Sequence, residues 1–218
     1  MRHQSLGNTV DSKPASEAKR PLLEHERLAL EDALGGRRAM ETYTESRFSV
    51  TEKNRSAHEA VLSFNPSRDN LYLFGPAGCG KSHLAAIALR RNWTTKTMRN
   101  VGTVTQMEIS RLVRSAQSAD AEQDIISAYA YKPVLCIDDL GIAKDTDFMM
   151  TLIYEVIHAR YMNMPGGLVV TSNLGLDALA QKFGDDRISS RLAQMCKVFN
   201  LSGETDYRLK KAFERKAQ

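Results

Sequence analysis

The chain has 218 residues, of which 42% are hydrophobic and 26% are charged, and its formal net charge is +4. This length suits one α/β core with an appendage, and the mildly basic charge permits nucleic-acid binding without requiring it. No apolar run approaches the ~18 residues of a membrane span, and the three cysteines form no Cys-x-x-Cys pair, which disfavours membrane, disulfide-rich and zinc proteins and predicts a cytoplasmic one.

The N-terminal residues 1–45 are predicted to form a partly disordered, partly helical extension. Residues 1–15 are polar and carry no periodic apolar face, so we expect disorder there. Leucines recur among alternating charges in residues 17–34, and a pair of glycines follows, which predicts a helix. This helix could pack on the core or dock a partner protein, and both roles stay open. An extended patch at residues 47–50 and a helix at 52–64 are predicted next.

The stretch GPAGCGKS, from Gly75 to Ser82, satisfies the pattern G-x-x-x-x-G-K-[ST] and follows a short apolar strand at residues 71–74. Its glycines allow a tight backbone whose N–H groups surround phosphate oxygens. Lys81 adds a positive charge for the β- and γ-phosphates, and the Ser82 hydroxyl can hold Mg²⁺. Because an apolar-faced helix follows, we expect a P-loop that binds ATP through nine residues: Gly75, Pro76, Ala77, Gly78, Cys79, Gly80, Lys81, Ser82 and His83.

A strand and two helices are predicted next, at residues 101–105, 108–116 and 120–131. Arg111 and Arg114 lie off the apolar face of the first of these helices. They are either part of a solvated surface or candidate contacts to nucleic-acid phosphates.

The segment VLCIDDLG, residues 134–141, has four apolar residues followed by Asp138 and Asp139. A buried parallel strand has such a continuous apolar run, and ligands bind at the carboxyl ends of strands in open α/β sheets. We expect Asp138 to hold the Mg²⁺ shell and Asp139 to orient or deprotonate the attacking water. A surface turn after a strand is the alternative.

In the remaining segments, helices are predicted at residues 148–162, 176–183 and 185–195. Strands are predicted at residues 168–173 and 197–201. Asn173 is at the tip of the first of these strands, where it could hydrogen-bond the attacking water or the γ-phosphate. An Asx turn that caps the next element is the alternative. The last helix carries Arg187 and Arg191 one turn apart.

Taken together, GPAGCGKSHLA, LCIDDLG, VVTSNL and DDRISSRLAQMCKVFNLSGETDYR resemble the DnaC/IstB group of AAA+ ATPases, which comprises replicative helicase loaders and transposition helper ATPases. The resemblance implies a three-layer α/β P-loop core with a parallel sheet and no helical lid domain. It places this core at residues 46–208, followed by a basic tail at 209–218. Phe48 and Val50 fall where the adenine-contacting segment of the family lies.

The resemblance also implies that subunits associate with ATP between them. By position, Arg191 resembles the arginine finger that reaches the γ-phosphate of a neighbour, and Arg187 is the second candidate. An isolated monomer should then hydrolyse ATP weakly. Surface ion pairs of these arginines are the alternative. Arg208 is at the place of the second sensor arginine, and the helical insertion that carries Arg111 matches a DNA-lining helix of initiator and loader ATPases.

The function expected from this resemblance is an ATPase that assembles on single-stranded DNA and loads a replicative helicase. The alternative within the group is a transposition helper ATPase that binds duplex DNA and recruits a transposase. Two other classes stay open: a nucleotide-gated binding module whose hydrolysis is incidental, and a small-molecule kinase. The paired aspartates and Asn173 disfavour the kinase.

Overall fold

A computed structural model describes residues 21–94, 100–142, 147–203 and 206–207. The disorder predicted for residues 1–15, Arg208 and the predicted basic tail at 209–218 lie outside the described residues. The helices are α1 (Glu24–Ala33), α2 (Arg37–Thr42), α3 (Arg55–Leu62), α4 (Lys81–Asn92), α5 (Gln106–Arg114), α6 (Ala119–Ala130), α7 (Asp147–Asn163), α8 (Leu176–Phe183) and α9 (Arg187–Met195). The strands are β1 (Asn70–Phe74), β2 (Val101–Thr105), β3 (Val134–Leu140), β4 (Gly167–Ser172) and β5 (Lys197–Asn200).

The five strands form one parallel sheet in the order β2-β3-β4-β1-β5. Strand β4 therefore lies between β1 and β3 and pairs with both. In a parallel sheet the carboxyl ends of all strands meet at one edge, so the loop after β1, the end of β3 and the tip of β4 come together there. The α/β fold and parallel sheet expected from the sequence are confirmed.

Alternate side chains of each strand cover opposite faces of the sheet, as the period of two requires. Val134 and Cys136 of β3 belong to the core formed with α1, α3 and α4. Leu135 and Ile137 face the other way and belong to the core formed with α5 to α9. The sheet is buried between two helical layers, which explains why β3 and β4 read as continuous apolar runs.

The helix α2 was not expected from the sequence. It has six residues, of which only Ala39 is buried, so it is too short to show an apolar period. It begins directly after Gly36, whose φ of 120° lies in the region that favours glycine. None of the helices in the described ranges is both long and apolar enough to cross a membrane.

Arg160 of α7 joins three parts of the fold. Its side chain is fully buried, and Nη1 donates to the carbonyl oxygens of Tyr129, Ala130 and Lys132 at 3.2, 3.1 and 2.8 Å. Nη2 donates to the carbonyls of Gly166 and Gly167. The guanidinium thus binds the last carbonyls of α6 and the start of β4. Burial lowers the pKa of Arg160 to about 10, so it remains protonated at neutral pH.

Candidate active site

A cavity of about 590 Å³ lies at the carboxyl edge of the sheet. Its volume is typical of small-molecule sites. The lining residues come from the segment before α3, the loop after β1, the start of α4, the ends of β3 and β4, and Tyr207: Arg38, Thr42, Tyr43, Arg47, Phe48, Ser49, Ala77, Gly78, Gly80, Lys81, Ser82, His83, Asp139, Ile142, Asn173 and Tyr207. The structure therefore brings eight of the residues predicted for the site into one cavity. Of the others, Pro76, Cys79 and Asp138 lie directly beside lining residues in the chain, and Gly75 is two positions before Ala77.

The loop after β1 wraps tightly before α4 begins at Lys81. Gly80 has a φ of 102°, and a Cβ at this position would lie 3.1 Å from the ring of Phe48. The position therefore requires glycine for both its backbone angle and its close contact. Because α4 is 12 residues long and starts at the cavity, the N–H groups of its first turn and its dipole favour an anion there.

Lys81 is the only cationic side chain of this loop, and it is only 5% exposed. Its Nζ donates to the carbonyl oxygens of Gly75 and Pro76, both at 2.8 Å. A buried ammonium needs such partners because its desolvation is costly. Phosphate oxygens are stronger acceptors than these neutral carbonyls, so the same ammonium can bind a nucleotide that enters the cavity.

Ser82 and Asp138 meet although 56 positions separate them in the chain. Ser82 Oγ donates to Asp138 Oδ1 at 3.0 Å, and Thr171 Oγ1 donates to the same oxygen at 2.5 Å. Thr171 Oγ1 also accepts the backbone N–H of Asp139 at 2.9 Å. One buried hydroxyl of β4 thus holds both aspartates of β3. Thr171 was not among the residues predicted for the site, although it is the first of three polar residues, Thr171, Ser172 and Asn173, that follow the apolar part of β4.

The two aspartates point in different directions because the backbone bends between them. Asp139 has a φ of 57°, and the pairing of β3 with β4 shifts register between Ile137 and Leu140. Aspartate tolerates this left-handed conformation better than most residues. Asp138 is directed toward Ser82, whereas Asp139 lines the cavity, as Asn173 does.

The donor set at Ser82 and Asp138 fits Mg²⁺. This ion binds oxygen ligands at about 2.0–2.1 Å in an octahedron, so two neighbouring ligands lie about 2.9 Å apart. Ser82 Oγ and Asp138 Oδ1 are 3.0 Å apart. Two protein oxygens suffice for Mg²⁺, which keeps several waters and binds phosphates. Among the described residues, no group of three or more His, Cys, Asp or Glu side chains could hold a metal by itself.

An aromatic wall closes the cavity on the side of the N-terminal segment. The ring of His83 stacks on Tyr43, with centroids 5.1 Å apart, and meets Phe48 edge-on at 5.2 Å. Its Nε2 lies 2.8 Å from the carbonyl oxygen of Thr44. Phe48 therefore lies where a nucleobase could contact it, whereas Val50 is 43% exposed and is not among the lining residues. Residues before position 45 also line the cavity, which no sequence pattern indicated.

Arg187 and Arg191 do not line the cavity. Both lie on α9, and their guanidinium groups are each 4.8 Å from the ring centre of Tyr154 on α7. Arg187 forms an ion pair with Asp185 at 2.5 Å, and this contact holds the pKa of the Asp185 carboxyl below its usual value. The hydrogen-bond acceptors of Arg191 in the described part of the chain are uncharged. Within the described residues Arg191 forms no close ion pair, although its charge acts at longer range on the Asp185 carboxylate.

Arg111 and Arg114 are both exposed in the last turn of α5, but their surroundings differ. Arg111 lines a second cavity of about 500 Å³ between α1, β2 and α5. The Arg114 guanidinium lies 5.2 Å from the ring centre of Phe148.

Substituting Thr171 by valine is expected to lower ATP turnover about 10-fold or more. Valine has nearly the same shape but removes the donor to Asp138 and leaves the Asp139 N–H without its acceptor, which costs about 1–3 kcal/mol per group. Serine keeps the hydroxyl and should retain most of the turnover. Steady-state turnover and ATP affinity of both variants check this prediction, and wild-type turnover by the valine variant would contradict it.

The sequence profile of the IstB-like ATP binding protein family matches residues 3–215. An insertion sequence IS5376 ATP-binding protein of Geobacillus stearothermophilus is 26% identical over 182 residues, which cover 80% of this chain and 69% of that protein. An insertion sequence IS21 ATP-binding protein of Pseudomonas aeruginosa is 30% identical over 158 residues, which cover 69% of this chain but only 57% of that protein.

Solved structures share the fold. A DnaC helicase loader has a TM-score of 0.59 at 21% identity, covering 76% of this chain and 99% of that chain. The AMPPCP-bound DnaA of Aquifex aeolicus has a TM-score of 0.60 at 18% identity, covering 80% of this chain and 55% of that chain. These similarities confirm the AAA+ fold, and with the family profile they confirm the resemblance to the DnaC/IstB group.

Proposed function

Because this chain belongs to the family of IstB-like ATP-binding proteins, we propose that it is a AAA+ ATPase that acts as a transposition helper, binding duplex DNA and recruiting a transposase. The observation that carries the ATPase assignment is the 3.0 Å contact between Ser82 Oγ and Asp138 Oδ1. This contact joins the phosphate-binding loop to the acidic end of β3, which a pocket for nucleotide alone would not need.

Each residue of the cavity has a task in this proposal. The loop N–H groups and Lys81 bind the phosphates, and Ser82 and Asp138 hold Mg²⁺. Bound at these two residues, Mg²⁺ would supply positive charge that offsets the negative charge developing during phosphoryl transfer. Asp139 and Asn173 line the cavity and hold the attacking water, with Asp139 orienting it or accepting its proton.

In this proposal, the association of subunits brings a second cation to the nucleotide, in addition to Lys81. Arg191 lies outside the cavity of its own subunit and has only uncharged hydrogen-bond acceptors within the described residues. A half-buried guanidinium whose observed hydrogen-bond acceptors are uncharged is suited to bind an anion from another molecule. We assign this anion as the γ-phosphate of ATP in a neighbouring subunit. The expected weak activity of an isolated monomer follows, since its own phosphates lack this contact.

The transposition role is preferred over helicase loading because two of the related proteins belong to insertion sequences by name. The likeness to the DnaC helicase loader, at 21% identity, supports the fold alone. The net charge of +4 and the exposed Arg111 and Arg114 give DNA phosphates a set of candidate contacts. The transposase is the partner that this role requires, and α1 is a candidate surface for it.

Binding to duplex and single-stranded DNA of equal length, at one salt concentration, tests this role. We expect that, in the presence of ATP, the chain binds the duplex about 10-fold or more tightly than the single strand. Lys81→Ala removes the cation of the loop and should weaken ATP binding about 10- to 100-fold, so the ATP dependence should disappear in this variant. An ATP-dependent preference for single strands would instead favour helicase loading.

A further inference from the structure

Two helices that contact each other outside the cavity, α7 and α9, carry matching sets of polar and aromatic side chains. Tyr154, His158 and Tyr161 follow at intervals of four and three along α7, so they share one face of that helix. Arg187, Arg191 and Gln194 follow at the same intervals along α9. The two rows meet in register, which we call the α7–α9 ladder.

The contacts of the ladder concentrate on Arg191. Its guanidinium lies 4.8 Å from the ring centre of Tyr154 and 5.8 Å from that of Tyr161. At one end of the ladder, the Arg187 guanidinium lies 4.8 Å from the ring centre of Tyr154. At the other end, Tyr161 Oη forms a 2.6 Å hydrogen bond with Gln194 Oε1. Arg191 is thus the central member of this set.

Three nitrogens of Arg191 are held in three directions. Nε donates to His158 Nδ1 at 3.1 Å, and Nη2 donates to Tyr154 Oη at 3.0 Å. Nη1 donates to the backbone carbonyl oxygen of Arg187 at 2.9 Å. A guanidinium has five N–H groups, so two of them are not used by these bonds and can bind an external anion.

His158 can accept this hydrogen bond only in one form. Arginine has no acceptor, so Nδ1 of His158 must be the unprotonated nitrogen, and the imidazole is neutral with its proton on Nε2. The His158 ring also stacks on Tyr154, with centroids 5.4 Å apart and planes 7° from parallel. The two acceptor side chains therefore support each other as well as Arg191.

We propose that His158 and Tyr154 are positioning residues that hold the Arg191 guanidinium in the orientation it needs to reach the nucleotide of a neighbouring subunit. This inference rests on the proposed role of Arg191 in ATP hydrolysis. A free arginine side chain loses much rotamer freedom when it binds, and holding it beforehand removes that cost from the reaction. Neither positioning residue touches the cavity, so their substitution should spare ATP binding.

The test measures turnover and ATP affinity of the full chain under conditions in which wild-type subunits associate. His158→Ala should lower kcat about 10-fold and change the Kd for ATP less than about 2-fold. His158→Asn should keep at least about half of wild-type kcat, because its Oδ1 can take the place of Nδ1. Tyr154→Phe keeps the ring and its packing, removes only one acceptor, and should lower kcat about 3-fold. Glu155→Ala replaces an exposed residue of the same helix, α7, and is the matched control.

A double substitution separates positioning from a general structural role. In a chain that already carries Arg191→Ala, His158→Ala should lower kcat less than about 2-fold further, because the group it positions is gone. An equal loss in both backgrounds, or unchanged kcat in the single variant, would overturn the inference. Unchanged turnover in Arg191→Ala alone would instead refute the proposed finger.

A second measurement does not depend on turnover. The Nε–H resonance of Arg191, identified by its absence in Arg191→Lys, should exchange slowly with water in the wild-type chain because His158 accepts its hydrogen bond. His158→Ala should accelerate this exchange about 10-fold, and His158→Asn should restore part of the protection. Equal exchange in the wild-type chain and His158→Ala would overturn the positioning role even where the finger assignment holds.

Discussion

Replacing Arg191 by alanine is expected to lower ATP turnover about 10³-fold and to leave ATP binding within about 2-fold of wild type. The reason is its place in the fold. The guanidinium lies against α7, outside the cavity of its own subunit, so it cannot contribute to nucleotide binding there. Its charge can act on the γ-phosphate of a neighbour only when subunits associate, and that contact matters most where charge develops in the transition state.

Mixed subunits give the sharpest measurement of this effect. Arg191→Ala retains Asp139, and Asp139→Asn retains Arg191, so an assembly of both contains some interfaces with an intact pair. Turnover of the mixture should exceed that of either variant alone by about 10-fold or more. A mixture that forms but stays as inactive as its components would rule out action between subunits.

Arg187→Ala provides the matched control for the finger. Arg187 lies one turn away on the same helix and stacks on the same Tyr154 ring, but Asp185 neutralises its charge at 2.5 Å. Because this arginine already has a carboxylate partner, its removal should lower turnover less than about 10-fold. A larger loss with Arg187→Ala than with Arg191→Ala would exchange the roles of the two residues.

Replacing Arg160 by methionine is expected to destabilise the fold by at least about 4 kcal/mol. Methionine fills part of the volume but donates no hydrogen bonds, so five backbone carbonyl groups lose the hydrogen bond from the guanidinium, and among them that of Tyr129 still accepts the backbone N–H of Lys132. Each buried acceptor left without a donor costs about 1–3 kcal/mol, reduced by local relaxation. Chemical unfolding at equilibrium measures the loss. Arg55→Met, at an exposed arginine of α3, is the control and should change stability by less than about 0.5 kcal/mol.

The contribution of Arg160 to the stability of the fold depends on pH in one direction. Burial lowers the pKa of Arg160 in the folded chain to about 10, so in the unfolded chain the group keeps its proton to higher pH. Above about pH 10 the folded state binds fewer protons than the unfolded state, and this group's contribution to stability rises with pH. Below that point both states are protonated. The difference in the free energy of unfolding between wild type and Arg160→Met should therefore be constant from about pH 6 to pH 9.

The local parts of the site were predictable from sequence. The P-loop pattern is a continuous stretch between a strand and a helix, and the apolar runs of β3 and β4 end in polar residues at the same edge of a parallel sheet. Both signals depend on neighbours in the chain and on a simple period, and the structure brings Lys81, Ser82, Asp139 and Asn173 into one cavity. Their catalytic roles remain proposals.

Contacts between distant segments were not predictable in this way. Thr171 holds both aspartates only because β4 is the neighbour of β3. Tyr43 lies beside His83 only because the segment before α3 returns to the start of α4. Nothing in the local pattern around either residue indicates its partner.

The sequence alone therefore determined the parallel α/β core, the phosphate-binding loop and the acidic strand end, since each depends on residues close together in the chain. Tertiary structure decided which side chains hold these parts in place. Arg160 is an ordinary helical arginine in the sequence and a buried link between α6 and β4 in the fold. Arg191 likewise gains its orientation from α7. The burial of a side chain, the compensation of its charge and its hydrogen-bond partners depend on the residues that pack around it. Those residues come together only when the strands have formed the sheet in its final order.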